Sequence, residues 1–68
     1  MNERVLRRRE VIATIGLGTT KLYELIGKGE FPKPIQLSQR SVGWLESEVQ
    51  AWIQERANSR VSDPAEYD

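Results

Sequence analysis

Apolar positions recur along this chain with two different periods, and the switches between them divide it into elements. Val11, Ile12 and Ile15 fall on one side of a helical repeat, which predicts a helix from about Arg8 to Ile15, with Leu17 following in the turn and Leu6 beginning to pack just before it. Gly16-Leu17-Gly18 reads as a tight turn in which Gly16 suits a positive backbone dihedral. Gly18 or Thr19 can start a second helix, since both types are tolerated at an N-cap. Leu22, Leu25 and Ile26 form the buried face of that helix, and Gly29 stands where a left-handed residue would end it. The prolines of Glu30-Phe31-Pro32-Lys33-Pro34 forbid helix and favour an extended reversal, with Phe31 plugging the core. The period then drops to two. Ile35-Gln36-Leu37 and Val42-Gly43-Trp44 read as paired short strands joined by the polar loop Ser38-Gln39-Arg40-Ser41. Leu45, Val49, Trp52, Ile53 and Arg56 restore a helical stripe and predict a third helix from about Glu46 to Ala57, with Arg56 laying its stem on the stripe. Glu46 and Glu48 in its first turn complement the helix dipole.

An isolated hairpin is marginal, so Ile35, Leu37, Val42 and Trp44 are expected to lie on the helices. The expected core comprises Val11, Ile12, Ile15, Leu22, Leu25, Ile26, Phe31, Trp44, Val49, Trp52 and Ile53. Met1 to Val5 reads as a loose arm. The predicted fold is mainly α with a small β-hairpin: a winged helix-turn-helix of three helices plus a wing, around one core, over residues 6–57. Residues 58–68, polar, acidic at the end and carrying Pro64, read as a disordered tail.

Sixty-eight residues make one domain at most, with no room for a separate catalytic unit. Cys and His are both absent, which removes disulfides, thiolate metal sites and the commonest general base. No Gly-rich phosphate loop precedes a helix and no carboxylates cluster, so neither an enzyme nor a cofactor or metal site is expected. No apolar run approaches the ~18 residues of a membrane span, and Arg7-Arg8-Arg9 is not followed by the apolar stretch of a signal peptide. A cytoplasmic, nucleoid-associated protein with no membrane partner is the expectation.

The net charge of zero hides an asymmetry. Residues 1–40 hold eight basic against four acidic side chains, a net of +4, and residues 41–68 hold two against six, a net of −4. A neutral molecule can therefore present one basic face to double-stranded DNA. The second helix has the shape of a major-groove reader, short, anchored behind and small-polar to basic in front. On it, Thr19 and Thr20 open the exposed side, Thr20 being able to meet a thymine methyl or a phosphate. Lys21 can reach guanine or backbone and Lys28 extends the basic front. Glu24 either accepts from a cytosine amino group or pairs with Lys28 at i,i+4. Tyr23 either packs its ring and gives its hydroxyl to a phosphate, or is a half-buried core residue. Arg7, Arg8 and Arg9 precede or open the first helix, where the dipole disfavours cations; either a bound phosphate supplies the missing negative charge or the three are simply a solvated arm. Arg40 at the wing tip either enters a minor groove or holds a phosphate, or is a solvated turn residue, and Lys33 beside the wing suits a phosphate if the wing docks. Gln36, Ser38, Gln39 and Ser41 are secondary candidates. Trp44 and Trp52 lie in apolar stripes and read as core.

In order, Leu6-Arg7-Arg8-Arg9-Glu10-Val11, Gly16-Leu17, Leu22-Tyr23-Glu24-Leu25-Ile26, Gly29-Glu30-Phe31-Pro32-Lys33-Pro34, Arg40-Ser41-Val42-Gly43-Trp44 and Glu46-Ser47-Glu48-Val49-Gln50-Ala51-Trp52-Ile53 resemble the AlpA family of phage-type regulators. That family is a small relative of the MerR-like winged helix and of phage excisionases, and the resemblance spans residues 6–53. It implies DNA-binding regulation of prophage or integrative-element genes. The chain departs from the family pattern at Gly18-Thr19-Thr20-Lys21, where a Ser cap followed by Arg-Ser-Thr is expected. A Gly cap costs only a few tenths of a kcal/mol relative to Ser, so this bears on which bases are read rather than on folding.

Three functions fit these features. The first is a sequence-specific transcription regulator, with RNA polymerase or an integrase as a possible partner class. The second is an excisionase-like recombination directionality factor that bends DNA. The third is a protein-interaction module without salt-sensitive DNA binding. A module this small reads few base pairs, so association with itself on DNA, as a dimer or a cooperative array, is also expected.

Overall fold

The computed structural model describes residues 3–60, so Met1, Asn2 and most of the expected acidic tail (residues 61–68) lie outside the described residues. The elements run β1 (Val5–Leu6), α1 (Arg8–Ile15), α2 (Thr19–Gly27), β2 (Ile35–Ser38), β3 (Ser41–Leu45) and α3 (Glu46–Asn58). The three helices and the hairpin stand where the hydrophobic periods put them. No described helix is long and apolar enough to cross a membrane.

Helix α1 ends on Gly16 at φ 77°, whose N–H donates to the Ile12 carbonyl. Helix α2 starts from Gly18, which offers no side-chain cap, and ends in a Schellman arrangement. There Gly29 (φ 74°) donates to the Ile26 carbonyl and Glu30 to the Leu25 carbonyl. A β-carbon at either glycine would meet nothing, so the demand for glycine there is purely one of backbone dihedral.

The sheet differs from expectation in three ways. First, it has a third strand. Val5 pairs antiparallel with Leu45 and Leu6 with Trp44, giving the order β1-β3-β2. The stretch read as a loose arm is thus part of the framework from at least Glu3 onward. Leu6 is buried at 3% exposure, Glu46 N–H donates to the Arg4 carbonyl at 2.8 Å, and Glu3 caps α3 by accepting from Ser47 N–H and Oγ–H at 3.1 and 2.8 Å. Leu45 cannot cap that helix with its own side chain, and the carboxylate from the N-terminal segment supplies the missing acceptor.

Second, Ser38 pairs with Ser41, so the hairpin turns on Gln39-Arg40 alone rather than on four residues. A register irregularity between Gln36 and Ser38 accompanies the shorter turn.

Third, Ile35 and Leu37 do not lie on the helices. Ile35 is opposite Gly43 and Gln36 opposite Val42, so the apolar residues of β2 share the face of Gly43, whereas Val42 and Trp44 face the helices. Ile35 and Leu37 remain 39% and 43% exposed.

The core holds Leu6, Val11, Leu22, Leu25, Phe31, Trp44 and Val49, with Ile12, Ile15, Leu17, Ile26, Val42, Trp52 and Ile53 packed around it. Helices α1 and α3 pack on β3, and α1 on α2. The connector between α2 and β2 is pinned by both indoles. Trp44 Nε1–H donates to the Pro32 carbonyl at 2.9 Å and Trp52 Nε1–H to the Glu30 carbonyl at 2.7 Å. Between them Phe31 meets Trp52 edge-on at 5.0 Å.

Candidate nucleic-acid interface

The start of α1, the exposed flank of α2 and the hairpin turn converge. Arg7, Arg8, Arg9, Tyr23, Arg40 and Val42, with Glu10 at its edge, line an open groove of about 510 Å³. Residues far apart in the chain meet there because β3 carries the turn back across the front of α1. Arg7 makes the join. Its Nε–H donates to the Val42 carbonyl at 3.0 Å, tying the helix start to the wing.

The N-terminus of α1 is provided for from within the chain. Glu10 Oε1 accepts the Arg7 N–H at 2.9 Å and Glu10 Oε2 accepts from Arg4 Nη2 at 2.8 Å; Arg4 also faces Glu46 at 3.8 Å. The negative charge that the sequence reading assigned to a bound phosphate is thus already present as a carboxylate. Arg7 therefore ties the helix to the wing through its Nε–H, while its exposed side chain lines the groove beside Arg8 and Arg9. The side chains of Arg8, Arg9 and Arg40 make no ion pair or hydrogen bond among the described residues. Their guanidiniums stand in solvent, available as forked donors to an anionic backbone.

Tyr23 is 42% exposed and belongs to the groove, not to the core. On α2 the helical repeat places Thr19 on the flank of Tyr23, Thr20 and Glu24 at the front, and Lys21 and Lys28 on the far flank. All are exposed, and none except Tyr23 lines the arginine groove. Lys33 is exposed on the connector and also stands apart from it. The sequence-derived residues therefore divide into two sets: an arginine groove between α1 and the wing, and a threonine–lysine front on α2.

The α2 front is internally paired. Lys21 Nζ lies 2.9 Å from Glu24 Oε1 and Lys28 Nζ lies 3.9 Å from the same oxygen. The hydrogen bond from Lys21, then the charges of Lys21 and Lys28, hold the Glu24 carboxyl below the ordinary glutamate value. In an NMR pH titration Glu24 is expected to protonate below the usual range, and Lys21→Ala is expected to move its midpoint up. Because the folded-state value is the lower one, the pairing supports the fold above the unfolded-state value and is lost as pH falls through the folded one. An unshifted midpoint in the intact protein would rule the pairing out. In binding terms Glu24 competes with phosphate for both lysines.

The contributors missed from sequence are Glu10, Arg4, Glu3 and the Val42 carbonyl. The sequence carried a signal for one of them: Glu10 three residues after the cap position is the acidic half of a capping box.

The sequence matches the family described as prophage CP4-57 regulatory protein (AlpA) over residues 4–57. It is 48% identical over 58 residues to the uncharacterized protein ORF88 of Enterobacteria phage P4, a match covering 85% of this chain and 66% of that protein, just short of two thirds of its length. It is 32% identical over 59 residues to the DNA-binding transcriptional activator AlpA of Escherichia coli (strain K12), covering 78% of this chain and 84% of that one. With a family match running from Arg4, ahead of the first strand, through Ala57 in the last helix, the chain belongs to the AlpA family of prophage regulatory proteins.

Proposed function

We propose that this chain binds double-stranded DNA and regulates transcription of prophage or integrative-element genes, with residues 6–57 as the binding unit. One observation carries the reading: Arg8, Arg9 and Arg40, none paired within the described chain, gather with Tyr23 in a single groove beside the exposed front of α2. A helix front that enters a major groove and a neighbouring cluster of forked cations that grips the backbone is a division of labour that a duplex requires. The AlpA relative of Escherichia coli, named as a DNA-binding transcriptional activator, supports the same reading. In it, Thr19, Thr20, Lys21, Glu24 and Lys28 face base edges or adjacent phosphates. Arg8, Arg9, Tyr23, Arg40 and Lys33 hold phosphates, and Arg7 keeps the wing in position. Association with further copies on the duplex compensates for the small footprint.

The salt dependence of binding tests it. The logarithm of affinity is expected to fall steeply with the logarithm of salt, by about 0.9 per phosphate neutralised. Arg40→Ala and Lys21→Ala are each expected to flatten that slope by about one phosphate while leaving helicity intact, since both side chains are exposed. The Lys21 change is expected to be the smaller, because that cation gives up Glu24 to reach DNA. Duplex binding that ignores salt, or two variants that bind as the parent does, would refute the assignment.

A further inference from the structure

The outer face of the sheet is apolar, with Ile35 and Leu37 exposed and Val5 and Leu45 half-buried. Strand alternation and register put Val5, Ile35, Leu37 and Leu45 on the side away from Leu6 and Trp44, around Gly43. Glu3 and Glu46 stand where β1 meets the start of α3; Glu3 accepts from Ser47 through both oxygens and Glu46 faces Arg4 at 3.8 Å, leaving this end of the sheet net acidic. A second apolar surface lies behind the helices. It is an open groove of about 720 Å³ lined by Ile15, Leu25, Trp52, Ile53 and Ala57, together with Thr14, Arg56 and Arg60. Arg56 stacks over the Trp52 ring at 4.8 Å, and neither arginine makes an ion pair among the described residues. The two surfaces are complementary: aliphatic side chains beside a net acidic end of the sheet, and an apolar groove that includes two guanidiniums.

We propose that a second copy of this chain seats its sheet face in this groove, head to tail, with Glu3 and Glu46 toward Arg56 and Arg60. The two surfaces differ, so the contact is heterologous and propagates into an open row. Neither surface is the arginine groove. Val42 lines that groove and lies on the opposite side of the sheet from Ile35 and Leu37, so docking leaves Arg8, Arg9 and Arg40 accessible. Few side chains are involved, so the contact is weak between free molecules. Neighbouring copies on one duplex hold each other at high effective concentration, where a weak contact becomes cooperative loading. That consequence rests on the DNA-binding reading; the contact itself does not.

The test uses the full chain and two variants outside the DNA-binding set: Leu37→Gln on the sheet face and Ala57→Arg, which fills the groove. Circular dichroism establishes that both keep their helices. In free protein, the methyl signals of Ile35 and Leu37 and the indole signal of Trp52 are expected to shift together with rising concentration. In each variant alone the corresponding shifts disappear. In an equimolar mixture they return, because the intact sheet face of Ala57→Arg meets the intact groove of Leu37→Gln. On a long random-sequence duplex the parent is expected to bind about tenfold tighter or more per site than on a duplex holding one copy. Each variant loses that gain and keeps its affinity for the short duplex. Concentration-independent spectra, variants as cooperative as the parent, or a mixture that recovers nothing would overturn the proposal. Absence of salt-sensitive binding to the short duplex would instead defeat the DNA reading, and the concentration-dependent spectra would still decide the contact.

Discussion

Trp44→Ala is expected to leave the chain unfolded at room temperature. Trp44 is fully buried at the crossing of everything that holds the molecule together. It sits on the central strand, pairs with Leu6 of β1, and faces the helices that pack on β3. Its indole N–H also fixes the connector at Pro32. Truncating a buried Trp to Ala removes about 3–5 kcal/mol. A domain of this size, with no cysteine to form a disulfide, seldom has more than about 3–5 kcal/mol in its core to lose. Trp44→Phe separates packing from the hydrogen bond. It keeps an aromatic ring, leaves the Pro32 carbonyl without its donor, and is expected to cost about 1–3 kcal/mol while the fold survives. Far-UV circular dichroism and a thermal melt read both. A cooperative melt for Trp44→Ala close to that of the parent would mean that the core does not depend on this side chain.

The same residue shows why so much of the fold was legible. Trp44 and Val49 occupy stripes whose period changes from two to about 3.6, and only one side of each stripe can be buried. Helix α1 runs from Arg8 to Ile15 because Val11, Ile12 and Ile15 demand it and Gly16 ends it. What the periods do not carry is pairing between distant segments. Val5-Leu6 is too short to show alternation, and its place in the sheet follows from Leu45 and Trp44, some forty residues later. Register is equally silent. Ile35-x-Leu37 and Val42-x-Trp44 show the same pattern, yet the pairing of Ile35 with Gly43 sends the two sets to opposite faces.

The candidate interface divides in the same way. Residue types and the helical repeat name the α2 front, Arg8, Arg9 and Arg40 as candidates, and the structure leaves all of them exposed. That Tyr23 joins the arginines could not be read from α2 alone, because the groove exists only when the wing is laid across α1. Nor could the pairing of Glu24 be decided. Helical spacing allowed Lys28 at i,i+4, and the shorter contact is with Lys21 at i,i+3, which leaves Lys28 as the outer member of a three-charge cluster. Arg7 is the instructive case. Charge grouped it with Arg8 and Arg9, but position made it the clasp between helix and wing, its own N–H held by Glu10.

Gly43→Ala is expected to destabilise the domain by about 1–3 kcal/mol, although one methyl group is a small addition and the backbone there has no positive φ. Gly43 is buried between its two neighbouring strands, and the reason it must be glycine is space. A β-carbon at this position would stand 2.6 Å from Val5 Cγ1, 3.0 Å from Leu37 Cδ1 and 3.1 Å from the Leu6 carbonyl oxygen. Leu37 can swing away, being 43% exposed. Val5 is β-branched and stiff at χ1, and its strand is two residues long, so relief comes from pushing β1 off β3. That movement would loosen the backbone pairing next to Trp44 and disturb the Glu3 cap on α3, which depends on the path of the N-terminal segment. In a domain of this size the loss corresponds to a fall in melting temperature of roughly 4–8 °C per kcal/mol. A double-mutant cycle identifies the cause. If the Val5 methyl is the obstruction, Val5→Ala in the Gly43→Ala background should recover stability, whereas Val5→Ala alone should lose it. Such a sign reversal is the mark of direct contact between the two positions. Additive losses would instead place the conflict at the Leu6 carbonyl, where no side-chain change can relieve it. A Gly43→Ala variant as stable as the parent would mean that the face around Gly43 is looser than its distances indicate.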